Sequence, residues 1–267
     1  MKSGMWRSML FSRPDISWPM VARVFFRNLL LFKKTWKSNL MFNFLEPVFY
    51  LWAMGFGLGA YVNQIQGLSY VEFLAPALIA SAGMYAAAYE MTYGSYTRMA
   101  VQKSFQGIVA TPVSMDDVVM AELLYGTFKG LLYGLVFLAV VTLFGLVRSA
   151  WTLLVPIPLI MTVMGFAVLS MIWTSLAPGY DSFEYFFTLV ITPMFFFSGI
   201  FFPIDTLPEG IQLIAWLTPL YHAVAVIRPL ILGQVSWQLA GHVGWLLAFL
   251  LLTLRLPMAM IKHRLIQ

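Results

Sequence analysis

The chain has few charged residues and no cysteine. Only 10% of its 267 residues are charged, whereas 61% are hydrophobic. A water-soluble domain carries about 25% charged residues, so a soluble fold of this length would lack the side chains needed to cover its surface. Apolar side chains can face lipid, and this composition therefore predicts a membrane protein. The absence of cysteine excludes disulfides, thiolate metal ligands and a catalytic thiol.

Motifs of common catalytic chemistry are also missing. The sequence contains no G-x-x-x-x-G-K-[ST] phosphate-binding loop, no H-E-x-x-H zinc motif and no G-x-S-x-G nucleophile motif. Its three histidines, His222, His242 and His263, lie far apart along the chain. We therefore expect no catalytic residue, no metal site and no cofactor bound by this chain itself.

Long apolar segments are abundant. A membrane-spanning helix needs roughly 20 mostly apolar residues. Six segments meet this requirement, at residues 40–62, 71–92, 118–146, 153–176, 183–200 and 243–261. We predict an all-α membrane protein with six transmembrane helices, in which residues 40–267 form the transmembrane domain.

Residues 1–39 are basic and aromatic. Eight of the 16 lysines and arginines of the chain precede Asn39. Between Trp18 and Trp36 the apolar residues recur at helical spacing and the basic residues occupy other positions. This pattern predicts an amphipathic helix in the cytoplasmic interface of the membrane. A soluble helix packed on a partner protein is the alternative.

The basic residues are distributed unevenly between the predicted connections. The predicted outer connections contain only Arg148 and Arg228. Besides the N-terminal cluster, the opposite side carries Arg98, Lys103, Arg255, Lys262 and Arg264. The positive-inside rule then places both termini in the cytoplasm. The net charge of +5 reflects this topology, and we expect no nucleic acid as a partner.

Two stretches between the spans differ from the others. Residues 94–117 form the longest polar stretch within the hydrophobic region. Residues 201–233 are apolar, but they are interrupted by Pro203, Pro208, Pro219 and Pro229. Because proline excludes a long straight helix, we predict two short re-entrant helices there, which enter the outer leaflet without crossing it.

Charged residues inside spans are functional candidates because they are costly to place in a membrane. Glu46 lies near the cytoplasmic end of the first span, where a salt bridge to the basic helix is the simpler interpretation. Glu90 lies near the cytoplasmic end of the second span, and we expect Lys129 of the third span either to pair with it or to line a cavity. No series of carboxylates crosses the membrane, which argues against a proton-coupled carrier.

A run of three aromatic residues, Phe195, Phe196 and Phe197, follows Pro193 in the fifth span. If the runs of two subunits meet, they form a hydrophobic gate. Packing against neighbouring helices is the alternative.

An ordered series of short motifs extends over nearly the whole chain. It reads Glu46-Pro47, Gly55-x-Gly57-x-Gly59, Ala177-Pro178-Gly179-Tyr180-Asp181, Phe202-Pro203-Ile204-Asp205, Pro219-Leu220-Tyr221-His222 and Ile227-Arg228-Pro229. In order and spacing this series resembles the type-2 ABC exporter permeases, specifically the nodulation protein J branch, which exports lipo-chitooligosaccharides.

The resemblance implies a homodimer in the bacterial inner membrane, surrounded by membrane lipids and bound to two copies of a cytoplasmic ATPase. That separate subunit would bind ATP and Mg. A coupling helix at about Val101 to Pro112 would dock on the ATPase. Its apolar knob would be Phe105, Ile108 and Val109, and its polar rim Lys103 and Gln106. The substrate would bind in a groove between the subunits, where candidate contacts are Trp52, Tyr85, Tyr89 and Glu90.

We therefore predict a permease that exports an amphiphilic glycolipid or lipooligosaccharide and is not itself an enzyme. A drug or another lipid-linked glycan is the alternative substrate. A lipid-modifying enzyme that uses His222 and Arg228 is an alternative of another class, although a nucleophile and a metal motif are missing. A passive channel or secondary carrier is a further alternative, but it would not need a cytoplasmic docking helix.

Overall fold

The computed structural model describes residues 14–62 and 64–266, and these ranges are helical, without a β-strand. Residues 1–13, with Lys2, Arg7 and Arg13 of the basic cluster, lie outside the described residues, as does the side chain of Glu46. Four of the described helices are long and apolar enough to cross a membrane, or five if one bent pair of short helices counts as a span. The chain is thus a multi-pass membrane protein.

The described residues form eleven α-helices, joined in places by π-helical turns. The first five are α1 (Trp18–Tyr50), α2 (Tyr70–Tyr89), α3 (Ser104–Val109), α4 (Met115–Leu143) and α5 (Pro156–Leu176). The others are α6 (Asp181–Phe186), α7 (Thr192–Phe197), α8 (Glu209–Trp216), α9 (Pro219–Leu232), α10 (Leu239–Thr253) and α11 (Leu256–Ile266). Two of them continue beyond these limits, α1 through Leu51–Gly57 and Leu58–Ala60 and α2 through Glu90–Gly94 and Thr97–Val101.

Helix α2 lies at the centre of the bundle, packed against α4, α5 and α9. Small residues permit this position, because they let helix backbones approach closely. A Cβ atom on Gly130 of α4 would lie 2.7 Å from the carbonyl oxygen of Gly83 in α2, and closer still to Val163 of α5. The three helices therefore meet at a contact that has no room for a side chain at residue 130.

Both ends of the described chain meet the start of α4. The backbone N–H of Asp15 donates to Asp116 at 2.9 Å, and that of Ser17 donates to Asp117 at 2.6 Å. From the other end of the chain, Lys262 donates to Asp116 at 2.7 Å. The two ends therefore lie on the same side of the bundle, which is also the side of α3.

The opposite end of the bundle is closed by a different set of contacts. Glu72, at the start of α2, forms an ion pair with Arg148, which follows α4. The backbone N–H of Arg148 donates to the carbonyl of Ile231 in α9 at 3.0 Å. Helix α9 thus reaches the end of the molecule that lies away from α3.

Four of the six predicted spans, at 71–92, 118–146, 153–176 and 243–261, coincide with the long apolar helices. The first of these helices, at predicted span two, is longer than predicted, because it extends from Tyr70 to Val101. The segments predicted as spans one and five are helical as well. Within the described residues, however, their apolar helical runs are shorter than the 18 residues that the other four reach. Helix α1 also passes the predicted boundary at residue 39 without a break.

Candidate functional site

A ladder of stacked aromatic rings follows one side of α2 and its extension. The rings of Tyr85 and Tyr89 lie 6.3 Å apart, and those of Tyr89 and Tyr93 lie 6.0 Å apart. Phe187 stacks on Tyr89 at 4.4 Å, and Tyr180 stacks on Tyr93 at 6.2 Å with an interplanar angle of 9°. The tyrosines of α2 are four residues apart, a spacing that places them on one helix face. We call these five residues the aromatic ladder.

Part of the aromatic ladder is accessible from outside the chain. Tyr89 is 42% exposed and Tyr180 is 40% exposed. The loop that carries Tyr180 is held by Tyr96, whose hydroxyl donates to the carbonyl of Pro178 at 2.9 Å, and the hydroxyls of Thr97 and Tyr180 lie 2.7 Å apart. The ladder therefore presents flat rings together with phenolic hydroxyl groups on a fixed surface.

The phenylalanines predicted as a gate divide between two environments. Phe195 is buried, and its ring packs edge-on against Tyr50 and Tyr85 at 5.6 Å in each case. Phe196 and Phe197 are 42% and 38% exposed. Only the latter two are available to a second subunit in this conformation, and the gate stays a prediction.

The structure brings two of the four predicted groove residues into the aromatic ladder, namely Tyr85 and Tyr89. Trp52 is 68% exposed on the extension of α1, and its ring has no aromatic contact with the ladder among the described residues. Glu90 is only 7% exposed, and its carboxylate is enclosed by the bundle. We therefore assign Glu90 to a separate cluster and not to the surface of the ladder.

This second cluster is a buried ion network between α2 and α4. Glu90 accepts from Lys129 at 2.6 Å and from Arg98 at 2.7 Å. The guanidinium of Arg98 also pairs with Glu122 at 2.5 Å. The predicted pairing of Lys129 with Glu90 is confirmed. Two carboxylates face two cations, a balance that a buried site needs because an unpaired charge there is very costly.

Glu122 extends the network to α1. It is fully buried and accepts a hydrogen bond from the amide of Asn28 at 2.8 Å and another from the hydroxyl of Ser95 at 2.5 Å. Sequence reasoning missed Glu122. The available signal was its position seven residues before Lys129, which places the two side chains two turns apart on one face of a helix.

Helix α3 follows this network directly in the chain. It begins after Lys103, which has a left-handed backbone conformation with φ of 52°, an uncommon one for a residue other than glycine. Lys103, Gln106 and Val109 are exposed and Ile108 is partly buried. Phe105, in contrast, is 0% exposed and packs into the core of its own chain. It therefore holds α3 in place and is not available as the exposed knob that we expected.

Two histidines that are far apart in the sequence meet at the other end of the bundle. The Nδ1 atoms of His222 and His242 are 2.8 Å apart, and the Nε2 of His222 lies 2.7 Å from the carbonyl oxygen of Trp216. Because that carbonyl only accepts, the proton of His222 lies on Nε2 and His242 donates to its Nδ1. Within the described residues, no group of three or more side chains of the metal-binding types could hold a metal ion.

Comparison with known proteins assigns the chain to a family. The sequence model of the ABC-2 type transporter matches residues 21–232. The chain belongs to the ABC-2 type transporter family. The matched range extends from α1 to α9, so that the aromatic ladder, the ion network and α3 all lie within the ABC-2 region.

Several curated relatives agree with this assignment. The chain is 35% identical to nodulation protein J of Rhizobium meliloti strain 1021, over 98% of this chain and 99% of that protein. It is 37% identical to nodulation protein J of Rhizobium leguminosarum bv. viciae, over 90% and 93%. A more distant relative is the inner membrane transport permease YadH of Escherichia coli K12, 22% identical over 87% and 91%. The predicted resemblance is confirmed, and this ABC-2 protein is a transport permease.

Proposed function

We propose that this permease exports an amphiphilic glycolipid or lipooligosaccharide across the inner membrane, as a homodimer with two copies of a separate ATPase that binds ATP and Mg. The observation that carries the proposal is the aromatic ladder on an exposed side of α2. A polar sugar head group cannot cross hydrocarbon unaided, whereas a groove between two subunits shields it while the lipid tail stays in the bilayer.

The membrane topology of this proposal has six spans. The second half of α1 together with its extension, residues 40–60, would form the first span, and the unbroken run from Asp181 to Phe197, about 26 Å long at ~1.5 Å per residue, would form the fifth. An even number of spans agrees with the two chain ends, which meet at the start of α4. Helices α8 and α9, bent by 85° at their junction, would be the re-entrant pair. By the positive-inside rule, the side of the bundle that carries α3 would face the cytoplasm, and the predicted interface segment at residues 1–39 would lie on that side as well.

The aromatic ladder favours a sugar-bearing substrate. From Tyr85 to Tyr93 it extends about 12 Å at ~1.5 Å per residue, so it offers successive stacking surfaces and not a single one. The flat faces of sugar rings stack on aromatic rings, and a phenolic hydroxyl such as that of Tyr180, which already shares a hydrogen bond with Thr97, can form a second one to a sugar hydroxyl. A planar drug would also stack on this surface, but it would not need the row of hydroxyl groups.

Transport by the reconstituted complex of this chain and its ATPase tests the assignment of the ladder. The Tyr89→Leu variant should lower the ATP-dependent transport of a lipo-chitooligosaccharide about 2- to 10-fold, because a ring pair contributes about 0.5 to 1.5 kcal/mol. Tyr61→Leu is the matched control, since Tyr61 is 89% exposed and lies outside the ladder. Unchanged transport by Tyr89→Leu in a fully assembled complex would remove the ladder from the substrate path.

Helix α3 is the proposed docking element for the ATPase. The helix exposes Gln106 and Val109, with Ile108 at the margin, and Lys103 is exposed directly before its first residue. Closure of the ATPases would move α3 and, through it, the extension of α2 that carries Tyr93 of the ladder. The permease would thereby change between its inward-facing and outward-facing states. The ion network, which begins at Arg98 only a few residues before α3, would transmit this motion to α4.

Co-purification tests the docking role. The Val109→Asp variant should reduce the amount of ATPase recovered with the permease, because it replaces an exposed apolar side chain of the docking face by a charge that the contact would have to bury. Val235→Asp is the matched control, because Val235 is similarly exposed but follows α9 at the opposite end of the bundle. Full recovery of the ATPase with Val109→Asp would contradict docking through this face.

A further inference from the structure

A small polar cavity lies at the end of the bundle that is opposite to α3. Its volume is about 120 Å³, and it is enclosed by the start of α2, the loop after α7 and the middle of α9. The polar residues that line it are Gln66, Ser198, Asp205, Tyr221 and Arg228. Neither the proposed ladder nor the proposed docking helix uses any of these residues.

Arg228 supplies a positive charge that has no ion-pair partner among the described residues. Its Nε donates to the carbonyl of Phe73 at 3.0 Å, and its Nη2 donates to the carbonyl of Gly199 at 2.7 Å. The guanidinium also lies 3.8 Å from the centroid of the Phe73 ring. All of these partners are neutral, and within the described residues no acidic side chain forms an ion pair with Arg228. A partly buried and fixed cation of this kind favours an anion as its ligand.

Asp205 supplies the opposite charge at the rim of the same cavity. Its side chain is exposed, whereas Arg228 lies deeper, on α9. The described structure records no ion pair or hydrogen bond for the carboxylate of Asp205. The cavity thus has a cation in its inner part and an anion at its opening. A ligand with a negative group below a positive group matches this order.

An apolar cavity adjoins the polar one. It has a volume of about 170 Å³ and is lined mainly by hydrophobic side chains, among them Leu189, Met194, Phe197 and Ile214. Ser198 lines both cavities, so they share a wall. A charged cavity beside an apolar one fits a molecule that is itself polar at one end and apolar at the other.

We propose that the two cavities bind one phospholipid of the outer leaflet, with its phosphate on Arg228, its ammonium at Asp205 and part of an acyl chain in the apolar cavity. The head group is of the phosphoethanolamine type, since an ammonium with N–H groups can donate to Asp205. Ligand pockets for drug-sized molecules have about 300 to 1,000 Å³, so the polar cavity is too small for an oligosaccharide head group. The site is therefore distinct from the aromatic ladder. Its place in the outer leaflet rests on the proposed membrane topology, but the site stands even if the glycolipid substrate is wrong.

The bound lipid would support the bent pair α8 and α9. The cavities lie between this pair and the helices α2 and α7, so a lipid there fills space that the side chains leave open. Its phosphate would also neutralise Arg228, which forms no ion pair in the part of the chain that the structure describes. The site is thus part of the folded structure in a membrane rather than a step of the transport path.

Native mass spectrometry of the full chain with its ATPase, purified in detergent and depleted of lipid, tests the proposal. Phosphatidylethanolamine, phosphatidylcholine and phosphatidylglycerol with identical acyl chains are added separately. We expect phosphatidylethanolamine to bind about fivefold more tightly than the other two. Arg228→Gln should remove this binding, and Arg148→Gln, at the same end of the molecule, should not.

Asp205→Asn provides the decisive variant even if Arg228→Gln fails to fold. Asp205 is exposed, so its replacement leaves the protein intact, and it should abolish the preference for phosphatidylethanolamine over phosphatidylglycerol. Equal binding of the three lipids by the unaltered protein, or an unchanged preference in Asp205→Asn, would overturn the proposal.

The source of the phosphate and the position of the tail are tested separately. Inorganic phosphate should not displace the lipid, and displacement would show that the site binds a free anion.

Phosphatidylethanolamine with a photoreactive acyl chain should label the segments that contain Met194 and Ile214. Labelling confined to other segments would contradict the proposed position of the tail.

Discussion

Replacing Glu122 by glutamine tests whether the buried ion network holds α1, α2 and α4 together. Glutamine has the shape of glutamate, but it carries no charge, and one of its two oxygens becomes an NH₂ group. That group cannot accept the hydrogen bonds that Ser95 and Arg98 now donate to Glu122. Arg98 and Lys129 would then share Glu90 alone, and the buried site would carry one uncompensated positive charge.

The size of the effect follows from the burial of the pair. Removing one partner of a buried ion pair costs about 3 to 5 kcal/mol. Because Arg98 keeps its contact with Glu90 at 2.7 Å, we expect a value near the lower end, about 3 kcal/mol. Adding Arg98→Met to the same chain removes the unpaired cation and leaves the balanced pair of Glu90 and Lys129. The loss in the free energy of unfolding of the double variant should therefore be smaller than the sum of the two single losses, by about 1 kcal/mol or more.

Thermal unfolding of the detergent-purified protein, followed by the fluorescence of its nine tryptophans, measures these differences. In soluble domains of 150 to 250 residues, each kcal/mol of lost stability lowers the Tm by about 2 to 4 °C. A loss of about 3 kcal/mol in Glu122→Gln should therefore lower the Tm by about 6 to 12 °C. Glu184→Gln is the control, because Glu184 is exposed and has no ion pair in the described structure. The reasoning fails if Glu122→Gln has the same Tm as the unaltered protein, or if the stability lost in the double variant equals the sum of the losses in the two single variants.

Three further changes have defined outcomes. Gly130→Ala should cost about 1 to 3 kcal/mol in the same unfolding assay, because its Cβ would meet the backbone of Gly83, whereas Gly57→Ala, where nothing lies within 4 Å, should not. Phe105→Ala should cost about 3 to 5 kcal/mol, whereas Val109→Ala should cost less than about 1; equal effects would contradict the buried position of Phe105. Lys262→Ala should make α11 more sensitive to protease than Lys34→Ala does, because it breaks the contact with Asp116, and unchanged cleavage would show that this contact does not hold the helix.

Composition and apolar runs were sufficient to predict the class of the protein and four of its spans. The end of the second span was predicted too early, at residue 92, because Glu90, Gly94 and Arg98 interrupt its apolar pattern. In the structure the helix continues to Val101, since Arg98 is neutralised by Glu90 and by Glu122 from another helix. A partner 24 residues away cannot be read from local hydrophobicity.

The orientation of the short helices could not be predicted from the sequence either. The sequence of α3 has an apolar face, but it does not reveal whether that face meets the chain's own core or a partner protein. The structure divides the face, with Phe105 in the core and Val109 exposed. Likewise, the contact between His222 and His242 depends on how α9 and α10 fold together, and not on their positions in the sequence.

The central claim is that this chain is the membrane path of an exporter whose energy comes from a separate ATPase. Its most direct test is the movement of a lipo-chitooligosaccharide across the membrane of vesicles that contain this chain and an ABC ATPase from the same organism. The account predicts movement that requires ATP and both proteins, and that falls with Val109→Asp in proportion to the loss of bound ATPase. Movement without ATP, or a chain that never binds an ATPase and moves no amphiphile, would contradict it.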